Sequence, residues 1–254
     1  MRHDGAVTTK TEPTGNGPGT PARRGRPRKG ASTLTREAIV EATIALIDDD
    51  GVEGVGMRTV ARRLGVDAKS LYNYVDGKDD LLDAVAEHIL IGLAFPEPTG
   101  SLDVDLRAVG RTFRANTLAH PRAGALILTR QLDSAAALYP TERLLSMLRA
   151  AGCRPAEAVR LLRTLLATVV GTLLREVTAG PTFGEVGPAR EGRRRADLES
   201  SGMPALVEAA PHLARFDHDE EFEYTLDLVV TAVTTRIERT GRGAAVTDPL
   251  PPGD

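Results

Sequence analysis

The stretch that decides the fold is TVARRLGVDAKSLYNYVDGK, from Thr59 to Lys78. Its apolar residues recur at helical spacing in two short segments, and Gly65 and Val66 lie between them. This pattern predicts two helices, at about 57–64 and 68–74, joined by a tight turn, with Asp76 and Gly77 ending the second helix. Small and polar residues on the outer face of that helix would fit a DNA major groove. The expected core residues are Val60, Ala61, Leu64, Leu71 and Val75.

One further helix is predicted on each side of this pair. The first covers residues 35–49, and the second runs from Lys78 to about Leu93, where a proline-containing segment follows. Residues 33–93 are therefore predicted to form a DNA-binding domain built on a three-helix helix-turn-helix unit. The buried stripe of the first helix is expected to be Ile39, Thr43, Leu46 and Ile47.

Residues 101–240 are predicted to form a larger helical domain, because apolar residues again recur at helical spacing and no strand-like alternation occurs. The predicted fold class is therefore all-α. Residues 183–204 are polar and contain glycine, and we expect a loop or linker there. The predicted helices are 102–120, 121–132, 140–151 (with Pro140 near the first turn), 155–179, 203–213 and 219–240.

The helices predicted at 155–179 and 219–240 are more apolar than the surface of a monomer requires. The first carries two apolar residues at nearly every turn. The second carries Phe222, Leu226, Val229, Val230, Val233 and Ile237. One interpretation is a central and a peripheral core helix within one chain. The other is a homodimer in which two helices from each subunit pack as a four-helix bundle, and this is our prediction.

Both ends of the chain, residues 1–32 and 241–254, are predicted to be disordered tails, because they contain little that could be buried. The first tail ends in RRGRPRK, in which Arg24, Arg26 and Arg28 surround Gly25 and Pro27. This segment is similar to an AT-hook, which lies in the narrow minor groove of A·T tracts. The alternative is a basic arm that binds phosphates without sequence preference.

Composition narrows the class of protein. The formal net charge is -3 over 254 residues, so a DNA surface must be a local basic patch. Cys153 is the single cysteine, which fits a reducing compartment. No secretory signal and no run of about 18 apolar residues occurs, so we expect a cytoplasmic protein that is nucleoid-associated when bound to DNA. The sequence shows no nucleophile–base pair, phosphate loop or metal-ligand cluster, and we expect neither an enzyme nor a bound metal or cofactor.

Residues 34–93 resemble the DNA-binding domain of the tetracycline-repressor (TetR) family, and the stretch that carries the resemblance is LTREAIVEATIALIDDDGVEGVGMRTVARRLGVDAKSLYNYVDGKDDLLDAV. Four later segments resemble the ligand-binding domain of the subgroup that contains the tetracycline repressor itself: AHPRAGAL, LLSMLRAAGCRPAEAVRLL, GTLLREV and DEEFEYTLDLVVTAV. The resemblance implies an all-helical homodimer that binds a palindromic operator in double-stranded DNA and leaves it when a small molecule binds.

The resemblance also implies roles for individual residues of the helix-turn-helix. Lys69 would contact guanine O6 and N7, and Asn73 would contact an adenine edge. Phosphates would be bound by the hydroxyl groups of Ser70, Tyr72 and Tyr74 and by Lys78 at the start of the next helix. Packing or solvation is the alternative for each side chain. The expected DNA-contacting set is Arg58, Thr59, Ala68, Lys69, Ser70, Tyr72, Asn73, Tyr74 and Lys78, with Arg24, Arg26 and Arg28 of the tail.

The small-molecule effector is expected to bind inside the C-terminal helical domain, where polar residues on apolar helices are candidate contacts. Capping, solvation or salt bridging is the alternative role for each of them. The tetracycline repressor holds a metal-chelated drug with a histidine on the helix after its HP turn. Residues 122–130 lack a histidine, so we do not expect a metal–tetracycline effector. The candidates are His88, Asn116, Thr117, His120, Thr129, Arg130 and Gln131.

Three functions are compatible with this domain order. A ligand-released repressor is the leading hypothesis, and an activator or effector-independent regulator would use the same domains. An architectural nucleoid protein, bound mainly through its arm, is the third. Footprinting distinguishes them, because a repressor protects one or a few palindromes whereas an architectural protein covers A·T-rich DNA broadly.

Overall fold

The helix-turn-helix region of the computed structural model starts with a capped helix. Thr35 accepts a hydrogen bond from the backbone N–H of Ala38 on its side-chain oxygen (3.1 Å), and α1 (Arg36–Asp50) follows. The structure describes residues 34–130, 132, 134–178 and 188–246. Within these ranges it contains eleven α-helices and one short 3-10 turn, with no strand. The predicted all-α class is confirmed.

Three more helices complete the DNA-binding region: α2 (Met57–Leu64), α3 (Ala68–Leu71) and α4 (Lys78–Ile91). Gly65 ends α2 with a φ of 68°, a left-handed conformation that favours glycine, and Val66 N–H then bonds the Ala61 carbonyl at 3.0 Å. Helix α3 is shorter than the predicted 68–74. It ends early because the N–H groups of Asn73 and Tyr74 bond carbonyls only three residues back, which produces a tight turn.

Seven helices follow: α5 (Leu102–Ala119), α6 (Pro121–Thr129), α7 (Ala135–Ala150), α8 (Pro155–Val177), α9 (Pro188–Glu199), α10 (Pro204–Ala214) and α11 (His218–Val246). A proline opens α6, α8, α9 and α10. Proline suits this position because the first turn of a helix has no internal partner for its N–H groups.

Four of these helices differ from the predictions, and α6 is the simplest case, because it ends at Thr129 rather than at 132. Helix α7 begins at Ala135 because Ser134 caps it, so Pro140 lies inside the helix rather than near its first turn. Residues 183–204 were predicted to be a loop or linker, but they contain α9. This helix packs against α10 and carries an ion pair between Arg195 and Glu199, one turn apart. Helix α11 continues to Val246 instead of ending near 240, since extending an existing helix costs far less than nucleating one.

The buried residues form two apolar cores. The first joins α1, α2, α3 and α4 and also includes Ala123 and Leu126 of α6. The second is built from α5, α7, α8 and α11, and Leu128 of α6 packs against it. Helix α6 therefore contacts both cores. Among the described residues, no helix has the length and apolar character needed to cross a membrane.

The apolar residues that suggested a dimer pack mostly within the chain. On α11 the side chains of Phe222, Leu226 and Val230 are buried, and on α8 those of Leu162 and Leu173 are buried. They belong to the second core of one subunit. The interpretation of these particular residues as core is therefore confirmed, whereas Val170, Leu174 and Val177 of α8 are half-buried and belong to neither core.

Candidate DNA-binding surface and effector cavity

Helix α3 and the turn after it are fixed on the first core by two buried anchors. Leu71 and Val75 are 0% and 2% exposed, as the sequence predicted. The residues between them point outward, and Tyr72 is 54% exposed. Asp67 caps α3 by accepting a 2.7 Å hydrogen bond from the Lys69 N–H. The sequence thus presents a short, rigid segment with a polar outer face.

Four exposed side chains of α2, of α3 and of the turn after it remain available to a partner. Arg58, Lys69, Tyr72 and Asn73 make no side-chain hydrogen bond or ion pair within the part of the chain that the structure describes. They combine two cations, a hydroxyl and an amide, which are the groups that contact phosphates and base edges. This arrangement suits a DNA surface.

Other predicted DNA contacts have structural roles as well. Thr59 accepts a 2.8 Å hydrogen bond from the Gly56 N–H and stabilises the turn before α2. Tyr74 donates to the Leu34 carbonyl at 2.7 Å, and Lys78 donates to the Val52 carbonyl at 3.3 Å. The side chains of Ala68 and Ser70 are half-buried. Arg24, Arg26 and Arg28 lie outside the described residues.

Several predicted effector contacts connect the DNA-binding helices to the rest of the fold. Asn116 on α5 donates a 2.8 Å hydrogen bond to the Ile89 carbonyl of α4. His120, before α6, lies 2.8 Å from the Asp48 carboxylate of α1. Arg130, after α6, donates to the Asp83 carboxylate of α4 at 2.5 Å. The structure therefore brings these three side chains to joints between helices.

The remaining effector candidates are dispersed. Thr117 and Thr129 each donate back to a carbonyl of their own helix, at 2.8 Å in both cases. His88 is exposed on α4. Gln131 lies outside the described residues. None of the six described candidates lines the cavity described next.

An apolar cavity opens between α5, α7, α8 and α11 and has about 480 Å³ of empty space, counting space that opens to solvent. The part of it that a water-sized molecule can occupy has a volume of about 50 Å³, well below the roughly 300–1,000 Å³ of small-molecule sites, so an effector would have to widen it. No polar atom of the described residues faces it. Its lining residues are Phe95, Leu106, Val109, Gly110, Phe113, Pro140, Leu144, Leu165, Leu166, Val169 and Leu226.

Sequence reasoning missed all eleven of these lining residues. The predicted contacts were polar side chains on apolar helices, whereas this wall is made of apolar side chains and one glycine. Nothing in helical spacing separates an apolar residue that fills a core from one that faces a cavity. Two aromatic residues, Phe95 and Phe113, were the available signal, because aromatic side chains are common in ligand sites.

A partly buried charge cluster ties α5 to α8 and α11, with Arg114 and Glu176 half-buried and Asp219 exposed. Arg114 pairs with Glu176 at 2.6 Å and with Asp219 at 2.5 Å, and its guanidinium lies 4.9 Å from the centre of the Phe222 ring. The hydrogen bonds that Arg114 donates to Glu176 and Asp219 raise the pKa of its guanidinium, which stays charged. The cluster fixes the relative positions of three cavity helices.

The fold, the exposed polar face of the helix-turn-helix and the apolar cavity together define the class of protein. It is a helix-turn-helix regulator with a separate cavity. The family described as bacterial regulatory proteins, tetR family, matches residues 39–85. The family described as tetracyclin repressor-like, C-terminal domain, matches residues 95–237. The chain belongs to the tetracycline-repressor family, and it is a DNA-binding transcriptional regulator rather than an enzyme.

Individual relatives agree with this membership. The HTH-type transcriptional repressor DrrR1 of Streptomyces coeruleorubidus is 33% identical to this chain. The match covers 71% of this chain and 66% of the length of DrrR1. The tetracycline repressor protein class A from transposon 1721 of Escherichia coli is 30% identical over 80% of this chain and 92% of its own length. The solved structure of Streptomyces coelicolor ActR in complex with (S)-DNPA is 25% identical and has a TM-score of 0.69, with 81% of this chain and 100% of that chain covered.

Proposed function

We propose that the chain is a homodimeric repressor that binds a palindromic operator and is released from it by a small molecule. The observation that carries the proposal is the exposed surface of Arg58, Lys69, Tyr72 and Asn73, held by buried anchors. Two relatives, DrrR1 and the class A protein, are named as repressors. The structural neighbour ActR is described in complex with a small molecule.

In this proposal Lys69 and Asn73 contact base edges, and Arg58 and Tyr72 bind phosphates. Lys69 follows the cap of α3, so its ammonium can reach guanine acceptors in the major groove. Lys78 uses one N–H donor for its bond to the Val52 carbonyl. Its ammonium carries three donors, so two remain for a DNA phosphate. Arg24, Arg26 and Arg28 of the preceding segment contact the minor groove.

The dimer would form through the exposed faces of α8 and α11. Tyr224 and Leu228 are 65% and 53% exposed, although both are large and one turn apart on α11. On α8, Gly171 has no atom within 4 Å of an added Cβ, so this face is open to a neighbouring helix. A symmetric pair would place two α3 segments about 34–36 Å apart, one helical turn of DNA.

The effector would occupy the apolar cavity. Because its wall offers no polar atom, we infer that the effector is uncharged and largely apolar where it contacts this wall. Occupancy must favour the form of the protein that binds DNA poorly. Near-complete release needs a preference of roughly 5.5 kcal/mol between the two forms.

Selection of DNA by the purified protein from a random duplex library tests the proposal. Footprinting on the selected duplex should show one palindrome with two half-sites. Deleting residues 1–30 should weaken binding and reduce its salt dependence, because phosphate and groove contacts of the basic segment are lost. Broad A·T coverage without a palindrome would contradict the repressor function, and an unchanged salt slope would contradict the role of the basic segment.

A further inference from the structure

A cleft lies where the turn between α7 and α8 meets α11, and we call it the α7–α8 cleft. The turn contributes residues 151–154, α8 contributes Glu157, and α11 contributes Ile237 and Thr240. Its volume is about 460 Å³, which is within the roughly 300–1,000 Å³ of small-molecule sites. Among the described residues, none lines both this cleft and the apolar cavity between α5, α7, α8 and α11. The cleft is therefore a separate place for a ligand.

The inner wall of the α7–α8 cleft is apolar and fixed by the second core. Cys153 is 6% exposed and belongs to that core, and Ile237 packs against it. Burial raises the pKa of the Cys153 thiol, so the thiol stays protonated and uncharged at neutral pH. An apolar group can therefore pack on this wall without meeting a charge.

The uncompensated charge at the mouth of the cleft is positive. The Arg154 side chain is exposed and makes no hydrogen bond or ion pair within the part of the chain that the structure describes. Glu157 also lines the cleft, but its carboxylate accepts a 3.0 Å hydrogen bond from the Arg236 guanidinium, which compensates its charge. The N-terminal end of α8, at Pro155, adds a partial positive charge. The mouth thus favours an anionic group.

Two other clefts along α7 are of comparable size, about 320 and 430 Å³, but their arginines already have partners. Arg143 in the first donates a 2.7 Å hydrogen bond to the Pro96 carbonyl. Arg149 in the second donates to the Cys153 carbonyl. The α7–α8 cleft differs from both because Arg154 has no partner among the described residues.

We propose that the α7–α8 cleft binds a small monocarboxylate with an apolar chain. The carboxylate pairs with the Arg154 guanidinium, whose planar donors match the two carboxylate oxygens, and the chain packs on Cys153 and Ile237. Ile237 and Thr240 lie roughly 120–180° around α11 from Leu228, so the proposed dimer face leaves the cleft open. The inference does not depend on the proposed function, because neither the effector cavity nor the DNA surface takes part.

Isothermal titration calorimetry of the full-length protein with octanoate tests the proposal, and octanamide is the uncharged probe of the same length. Arg154→Gln removes the charge, and folding should be unaffected because the side chain makes no capping bond to α8. Thr240→Trp fills the mouth of the cleft from an exposed position. Arg160→Gln is the matched control, since it removes an exposed cation of α8 that does not line the cleft.

We expect the wild type and Arg160→Gln to bind one octanoate per chain with the same affinity, and octanamide at least about fivefold more weakly. Arg154→Gln should bind octanoate about fivefold more weakly and lose the preference for octanoate over octanamide. Thr240→Trp should weaken binding of both probes, and it keeps the test valid if Arg154→Gln fails to fold. Absence of octanoate binding to the wild type, equal binding of the two probes, or undiminished octanoate binding in either cleft variant overturns the proposal.

Discussion

The hydroxyl of Tyr74 donates a 2.7 Å hydrogen bond to the carbonyl oxygen of Leu34, which joins the turn after α3 to the residue that precedes the cap of α1. Tyr72, two residues earlier, makes no such bond within the described residues. The sequence predicted the same phosphate-binding role for both hydroxyls. The structure separates them, because the Tyr74 hydroxyl already stabilises the domain.

The two tyrosines give a matched pair of variants. Tyr74→Phe should lower the free energy of unfolding by about 0.5–1.5 kcal/mol, near the lower limit because the bond is exposed to solvent. Tyr72→Phe should leave stability unchanged and weaken DNA binding by about 1 kcal/mol, the scale of one hydrogen bond to phosphate. Chemical denaturation and DNA anisotropy measure the two effects. A loss of stability in Tyr72→Phe with none in Tyr74→Phe would contradict this assignment.

Gly124 allows α6 to approach α5 closely. A Cβ at this position would overlap the carbonyl oxygen of Thr117 and lie 2.9 Å from its Cγ2. Gly124→Ala should therefore destabilise the protein by about 1–3 kcal/mol, because backbone atoms cannot move aside easily. Gly192→Ala is the control, as an added Cβ there meets no atom within 4 Å. If thermal unfolding shows equal effects of the two substitutions, the close approach is not needed for stability.

The proposed dimer face makes a specific prediction. Leu228→Arg should convert the protein to monomers in analytical ultracentrifugation, since a charge would be buried at the interface. DNA affinity should then fall by about a hundredfold, because one half-site contact replaces two. Val104→Arg replaces a similarly exposed apolar residue on α5 and should leave the dimer intact. A dimer that persists in Leu228→Arg, or that dissociates equally in Val104→Arg, would exclude this face.

The ion pair between Arg111 of α5 and Glu223 of α11 predicts a change of stability with pH. Hydrogen bonds from Arg111, at 2.6 and 2.8 Å, lower the pKa of Glu223 below its ordinary value of 4.5. A carboxyl with a lowered pKa in the folded state stabilises the fold above its unfolded pKa, and this stability is lost as pH falls through the folded pKa. The side chains are half exposed, so the effect is small.

Glu223→Gln should accordingly lower stability at neutral pH and reduce the decline of stability below about pH 4.5. Urea denaturation from pH 6 down to about pH 3 measures this slope. Glu221→Gln is the control, because Glu221 makes no ion pair among the described residues. An identical pH slope in the wild type and in Glu223→Gln would show that the pair does not couple α5 to α11.

The helix-turn-helix was predictable because local signals in its sequence agree. Gly65 supplies the left-handed turn, Asp67 caps α3, and Leu71 and Val75 are at helical spacing. Helix α9 was missed for the opposite reason. Its residues are polar all round, so no apolar stripe marks it, and the Arg195–Glu199 pair and packing against α10 became visible only in three dimensions.

The cavity could not be derived from the sequence, because it results from how four helices meet. Leu165 and Val169 occupy positions of α8 that are ordinary core positions by spacing. Conversely, Asn116 and Arg130 looked like ligand contacts because they are polar residues near apolar helices. The structure gives them partners on α4, and only the tertiary arrangement reveals those partners.

The central claim is that the outer face of α3 distinguishes DNA sequences, and Lys69 tests it most directly. DNA should be selected in parallel by the wild type, by Lys69→Ala and by Arg62→Ala, which removes an exposed cation of α2 from outside the proposed base-reading face. The wild type and Arg62→Ala should select the same palindrome. Lys69→Ala should lose discrimination at one position of each half-site, worth about 1–3 kcal/mol. Selection of the wild-type sequence by Lys69→Ala with undiminished discrimination would contradict the claim.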